Sequence, residues 1–351
     1  MSASMTAKLR IKKEMQEYFR SRSKTRENLN PKTEFSQSMI KDINKNTIDD
    51  TIENALKTNT DYGYWLLFDE TNILKFQILI SGVTDTPYEG GFFHFAAEIP
   101  DEYPFEPPKV RFITTNMCTL HYHPNLYKCG KICLSILNTW EGPSWNSSMT
   151  IDSVCVSIRS LFSENPLTNE PGYEMLSPSS KTAMIYNKFA RYATIKCALI
   201  NHVKGSTRLP AEFQQVVEAF VYQPKIPGYY TKLVKKYMQI DQEGVKVSVR
   251  KRKLHYVEGE SDNEPGKKKD KIDLAIEQFV KKTETEKKIK ELENFIQGKS
   301  KSYDLESDDY EETPEFEDAD FEHFGINYLK KQSMGFDWKL LLDEISEFEK
   351  V

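Results

Sequence analysis

HYHPNLYKCGKICLSIL, residues 121–137, is the stretch on which the reading of this chain turns. It gathers His121, His123, Cys129 and Cys133 around a Pro124-Asn125 step and ends in the alternating run KICLSIL. Three chemistries compete for these residues. Histidine and cysteine are zinc ligand types, but the spacing is poor, no second close cysteine pair lies nearby, and Pro124 and Gly130 suit turns. No metal and no cofactor are therefore expected. The second chemistry makes the cysteines small core hydrophobes, which fits Cys118, Cys155 and Cys197. The third makes Cys133 a nucleophile, with a neighbouring amide N–H steadying the oxyanion that forms on a carbonyl. Cys129, next to Lys128, is a rival nucleophile. From the residues alone, core filler and nucleophile both remain open for Cys133.

The chain has 351 residues, enough for one large domain with additions or for two domains. An apolar fraction of 38% supports a core, on the lean side. A net charge of −5 disfavours general nucleic-acid binding. Five cysteines do not make a disulfide framework. The start, MSASMTAKLRIKKEMQEYF, lacks an apolar signal core, and no apolar run is long enough for a bilayer. The expectation is a soluble protein of the cytoplasm or nucleus, with free thiols and no membrane partner.

Outward from the central stretch, LRIKKEMQEYF predicts an amphipathic helix of about three turns, and the segment from Ser21 to Asn59 reads as a polar loop with short helical pieces. LKFQILIS and FFHFAAEIP, joined by GVTDTPYEGG, predict a β-hairpin. A Pro-rich corner then leads to a strand over Lys109–Thr114. MTIDSVCVSIRSLF predicts a helix with Ile151, Val154, Cys155, Ile158, Leu161 and Phe162 on one face and Thr150 or Ser148 as its cap. Further helices are expected over Ser179–Val203, Ala211–Val221 and Tyr229–Met238. A basic run (Arg250–Lys253), a Lys-rich patch, a charged helical pattern and the acidic DLESDDYEETPEFEDADFE follow; FDWKLLLDEISEF predicts a closing helix able to dock back. Helix followed by antiparallel meander is an α+β pattern.

Residues Leu74–Gly172 closely resemble the catalytic domain of the ubiquitin-conjugating enzymes. The motifs are Tyr103-Pro104-Phe105-Glu106-Pro107-Pro108-Lys109-Val110, His123-Pro124-Asn125, Cys133-Leu134 at the family interval from Asn125, and Trp145 through Thr150-Ile151. TPYEGGFF, GKICLSILNTWEGPSW and SENPLTNEPGYE further resemble the large Z-type subclass, whose extra C-terminal helices would account for Tyr186–Met238. The resemblance implies a four-stranded antiparallel meander behind an N-terminal helix, with catalytic domain 1–240; the charge pattern makes 241–323 a linker, and a terminal helix is expected in 324–351.

The resemblance also implies roles. Cys133 carries ubiquitin or a ubiquitin-like modifier as a thioester, received from an activating enzyme and passed to a substrate lysine or a ubiquitin ligase. It implies no cofactor of the chain's own; ATP binding enters only as a family-level term. Asn125 steadies the oxyanion or shapes its loop, while His123 and Pro124 support the turn that presents it. Asn169 and Glu170 occupy the subclass's acidic position, where a carboxylate would help a lysine lose its proton. Phe105, Pro107 and Ser147 would face a ligase. The family's Ser-Pro-Ala step reads Asn146-Ser147-Ser148 here, which weighs against ordinary RING or HECT pairing. A non-catalytic adaptor that only binds ubiquitin or ligases is the alternative, and a nucleic-acid module built on 241–323 is a third reading.

Overall fold

The computed structural model describes residues 3–22, 36–58, 63–222, 227–241 and 336–349. Its centre is a four-stranded antiparallel sheet in the order β1 (Tyr64–Phe68), β2 (Lys75–Ser81), β3 (Phe92–Glu98), β4 (Lys109–Phe112). The β2/β3 hairpin is as expected, β4 stops two residues before Thr114, and β1 is a strand that the sequence reading had not named. Its five residues are all buried, so it carries no polar alternation to mark it. The α+β architecture is the one anticipated.

Alternation along the strands divides the sheet into two apolar faces. One face carries Phe93, Phe95 and Phe112, and meets Phe162 and Tyr122: the Phe93 and Phe162 rings lie 4.6 Å apart. Phe162 follows the C-terminal end of helix α3 (Ile151–Ser160), whose Ile151, Val154, Cys155 and Ile158 are buried as its spacing required. Thr150 caps it, accepting from Ser153 N–H in a reciprocal capping box, a feature worth about 1 kcal/mol. The other face carries Trp65, Phe92 and His94, and these meet Phe220 and Phe213 of the later helix over Ala211–Tyr222.

Helix α1 (Ala3–Arg22) is longer than the three turns expected. It is clamped by Glu14, a buried carboxylate that accepts from Tyr103 Oη (2.7 Å), from Ile151 N (2.9 Å) and from Arg10. One side chain therefore ties α1 to the Pro-rich corner and to the start of α3. Helix α2 (Gln37–Thr58) overturns the expected loop over Ser21–Asn59. Its buried stripe is Ile40, Asn44, Thr47, Ile48, Thr51 and Ala55, half of it polar, so the apolar period is weak. Two of the polar members pair with the sheet: Asn44 Nδ2 donates to Phe68 O (2.8 Å), and Thr51 Oγ1 accepts from Trp65 Nε1 (3.2 Å); Thr47 Oγ1 is buried without a hydrogen-bond partner.

After α3 come α4 (Lys181–Ile195), a π-helical segment Lys196–Ile200, α5 (Asn201–Val203), α6 (Ala211–Tyr222), α7 over 229–241 and α8 (Trp338–Phe348). The closing helix packs against α4, the π-helical segment and α7. Trp338 packs on Tyr192 and Tyr237 and donates to Asp241, which also pairs with Arg191; Lys196 and Lys204 hold Glu344. The basic run, the Lys-rich patch, the charged helical pattern and the acidic tract lie outside the described residues. Among the described residues no helix is long and apolar enough to cross a membrane.

Candidate active site

The central stretch folds into a small hairpin. Leu126 pairs with both His123 and Ile132 in isolated antiparallel bridges, Cys133 N donates to Asn125 O (2.9 Å), and Tyr127 N donates to Lys131 O (3.0 Å). Gly130 closes the turn at φ +90, and a Cβ there would sit 2.8 Å from Phe112 O, so no other residue fits without displacing β4. Antiparallel alternation gives this hairpin two faces. Leu126 and Ile132 point into the core, 0% and 2% exposed. Asn125, Tyr127, Lys131 and Cys133 share the opposite face.

Asn125 and Cys133 form a bonded pair. Beyond the backbone bond, Asn125 Nδ2 donates to Cys133 O at 2.7 Å. In this structure the carboxamide holds the cysteine's backbone. Asn125 Oδ1 is buried without a hydrogen-bond partner. Thr139 braces the other side: its hydroxyl donates to Ile132 O (2.7 Å) and accepts from Leu134 N (3.0 Å), bridging the peptides that flank Cys133. Thr139 is a site residue not anticipated from the sequence, although it lies inside the subclass-like stretch GKICLSILNTWEGPSW.

Cys133 departs from expectation. A nucleophile should stand reachable at the lip of a groove, yet Cys133 is 1% exposed. Its neighbours include Tyr127, whose phenol interacts with the thiol and with Glu170. Burial and then the neighbouring thiol raise the Tyr127 phenol above its ordinary pKa. The Tyr127 ring stacks on His121 with centroids 4.4 Å apart, and Lys131 Nζ sits 5.7 Å over its other side.

His123 is fully buried, and burial, reinforced by His121, lowers its pKa to about 3. Its Nδ1 accepts from Asn125 N at 3.0 Å. A neutral ring whose lone pair is already spent on the backbone is a turn-former rather than a base. Pro124 is buried and its carbonyl is bonded to His121 Nε2 (3.1 Å). Among the described residues no group of three or more His, Cys, Asp or Glu side chains is placed for a metal.

Asn169 ends a short 3-10 turn, Pro166–Asn169, with Nδ2 donating to Pro166 O and lying 3.5 Å from His123 Nε2. Glu170 caps that turn, half-buried, so the pair is brought to the Cys133 side by way of His123 and Tyr127. Phe105 stands 75% exposed on the Pro-rich corner, Pro107 is half-buried and Ser147 exposed. Trp145 Nε1 donates to Pro104 O (2.8 Å), which joins the two segments. Cys155 and Cys197 fill the core, but Cys118 corrects the core-filler expectation: it is exposed, the last of three consecutive positive-φ residues, Asn116, Met117 and Cys118.

The family profile described as ubiquitin-conjugating enzyme matches residues 35–193. These residues are a ubiquitin-conjugating enzyme domain. Ubiquitin-conjugating enzyme E2 Z of Xenopus tropicalis is 42% identical over 156 residues, covering 44% of this chain and 50% of that protein. A probable ubiquitin-conjugating enzyme of Caenorhabditis elegans, protein 17, is 37% identical over 57% of this chain and 28% of its own length. The human dual E2 ubiquitin-conjugating enzyme/E3 ubiquitin-protein ligase BIRC6 is 34% identical over 50% of this chain and 4% of its own length. The chain spans half the length, or less, of these relatives.

Proposed function

We propose that this chain carries ubiquitin or a ubiquitin-like modifier as a thioester on Cys133 and hands it to a lysine or to a ligase. The observation that carries the reading is the bonded pair of Asn125 and Cys133 on one face of a braced hairpin, inside a domain of the conjugating family. In the loading step the Cys133 thiolate attacks the modifier's C-terminal carbonyl, held as a thioester on the activating enzyme. The new carbon–sulfur bond forms, and the activating enzyme's thiolate leaves and takes up a proton. In the transfer step a lysine amine attacks the same carbonyl, loses a proton, and expels the Cys133 thiolate, leaving an isopeptide bond. A free lysine has a pKa of about 10.4, so a carboxylate at the mouth assists; Glu170, near Tyr127, is the residue in reach. Asn125's second N–H faces the oxyanion that both steps create. Phe105, Pro107 and Ser147 form the surface offered to a ligase.

The alternative, a non-catalytic adaptor that binds ubiquitin or ligases, draws on the burial of Cys133. One experiment separates the two. The full chain is mixed with ATP, ubiquitin and a panel of activating enzymes. A conjugating enzyme gives an adduct that reducing agent removes, and Cys133→Ser gives an ester that survives it. An adaptor gives neither.

A further inference from the structure

A thiol that must meet a carbonyl cannot stay 1% exposed. The question is which element moves. The backbone of Cys133 is held on both sides, by Asn125 and by Thr139, and the core face of its hairpin is sealed by Leu126 and Ile132. Moving the cysteine would break all of these. Moving Tyr127 would break far less. Its side chain is half-buried, and its restraints are side-chain contacts, with the Cys133 thiol, the His121 ring and Lys131 among them, rather than the backbone of the hairpin.

Register places it over the sulfur. Asn125 lies opposite Cys133, and Tyr127 opposite Lys131, so Tyr127 is the diagonal neighbour of Cys133 on the same face. Diagonal neighbours are within reach of an aromatic side chain across an antiparallel pair.

From this arrangement we infer that Tyr127 is a shutter on Cys133: closed, it covers the thiol and bonds to it; swung out about its side-chain torsions, it opens the site without disturbing the hairpin. Its purpose rests on the reading of Cys133 as the acceptor of a modifier, but the shutter itself concerns only access to a thiol. The two exposed thiols, Cys118 and Cys129, show what an unshuttered cysteine of this chain looks like. With the shutter closed, Cys133 is shielded from small electrophiles until the modifier's tail arrives and displaces the ring.

The test is site-resolved alkylation of the full chain with iodoacetamide, each cysteine followed by mass spectrometry. Cys129 reports an open thiol, and Cys155 and Cys197 report that the fold is intact. Tyr127→Ala is expected to speed Cys133 labelling by at least about tenfold, and Tyr127→Phe, which keeps the ring and loses one hydrogen bond, by roughly fivefold. The other four sites keep their rates. A pH profile separates access from acidity. An opened shutter raises the plateau reached when the thiol is fully ionised, whereas a changed thiolate fraction moves the midpoint and leaves the plateau.

The inference is overturned if wild-type Cys133 already labels as fast as Cys129. It is also overturned if Tyr127→Ala leaves Cys133 slow while Cys155 and Cys197 stay protected. Should Tyr127→Ala unfold the chain, Tyr127→Phe decides: an unchanged plateau for Cys133 refutes the shutter. A chain that shows the shutter yet forms no adduct with any modifier would leave this inference standing and defeat the conjugating reading alone.

Discussion

Cys133 and Cys155 are both buried, 1% and 0% exposed, yet their surroundings differ in kind. Cys155 sits on the apolar face of α3 under the sheet, where burial raises its thiol far above the ordinary range. Nothing short of unfolding α3 would expose it. Cys133 lies on a hairpin at the edge of the core, with a carboxamide and a phenol beside it and half-exposed Tyr127 in its cover. The comparison teaches that the fraction of a residue exposed does not separate an inert thiol from a working one. What covers it, and what that cover costs to move, does.

The sharpest way to break this contrast is to exchange the fates of the two residues. Cys133→Ala should remove the modifier adduct entirely and leave the melting temperature near wild type, since a small side chain is lost from an edge position. Cys155→Ser should do the reverse, keeping adduct formation while destabilising the fold by about 2 kcal/mol through a buried hydroxyl without a partner. Charging gels and thermal melts on both variants read this directly.

Next in size is Asn125→Ala. Losing an oxyanion donor slows transfer by on the order of a hundredfold, measured as discharge of the loaded chain to free lysine in single turnover. If Asn125 only shapes the hairpin, discharge falls no further than loading does.

The support around the site makes the chain sensitive to acid. His94 and His123 have pKa values lowered to about 3 and His202 to about 4, burial being the main cause in each. All three are neutral in the folded chain at neutral pH, while the unfolded chain takes up protons below about pH 6.5. The unfolded state thus binds more protons, so stability is full above that pH and falls as the pH drops towards 4. Each histidine contributes a loss of about 1.4 kcal/mol per pH unit across that window. Denaturant melts between about pH 7 and pH 5 test it; replacing His202 with Gln should flatten the slope by one histidine's share.

The smallest effect is expected at Thr139. Thr139→Val keeps the shape and removes the hydroxyl that bridges Ile132 and Leu134, costing about 1 kcal/mol. Its signature is a slower loading rate at unchanged Asn125 geometry, because the brace acts on the peptide bonds beside the sulfur.

The sequence made α3 plain because its apolar residues fall on one stripe, and it marked the turn residues Pro124 and Gly130 and the spacing of Asn125 to Cys133, though not the hairpin that joins them. It hid α2, whose inward face is half Asn and Thr, with Asn44 bonded to sheet backbone and Thr51 to Trp65. It also hid β1, buried along its whole length. Tyr127 stood in plain sight within the quoted stretch. Its importance comes from cross-strand register, which fixes diagonal neighbours only once the turn at Gly130 is known. Glu14 could not be found from the sequence at all, since its partners lie 89 and 137 residues away.

The account turns on a single covalent bond, and peptide mapping of the adduct formed with ubiquitin, ATP and an activating enzyme tests it most directly. The modifier's C-terminus should be found on Cys133 alone, released by reducing agent and absent from Cys133→Ala. Its appearance on Cys118 or Cys129, or the absence of any adduct across the panel of activating enzymes, would contradict the account.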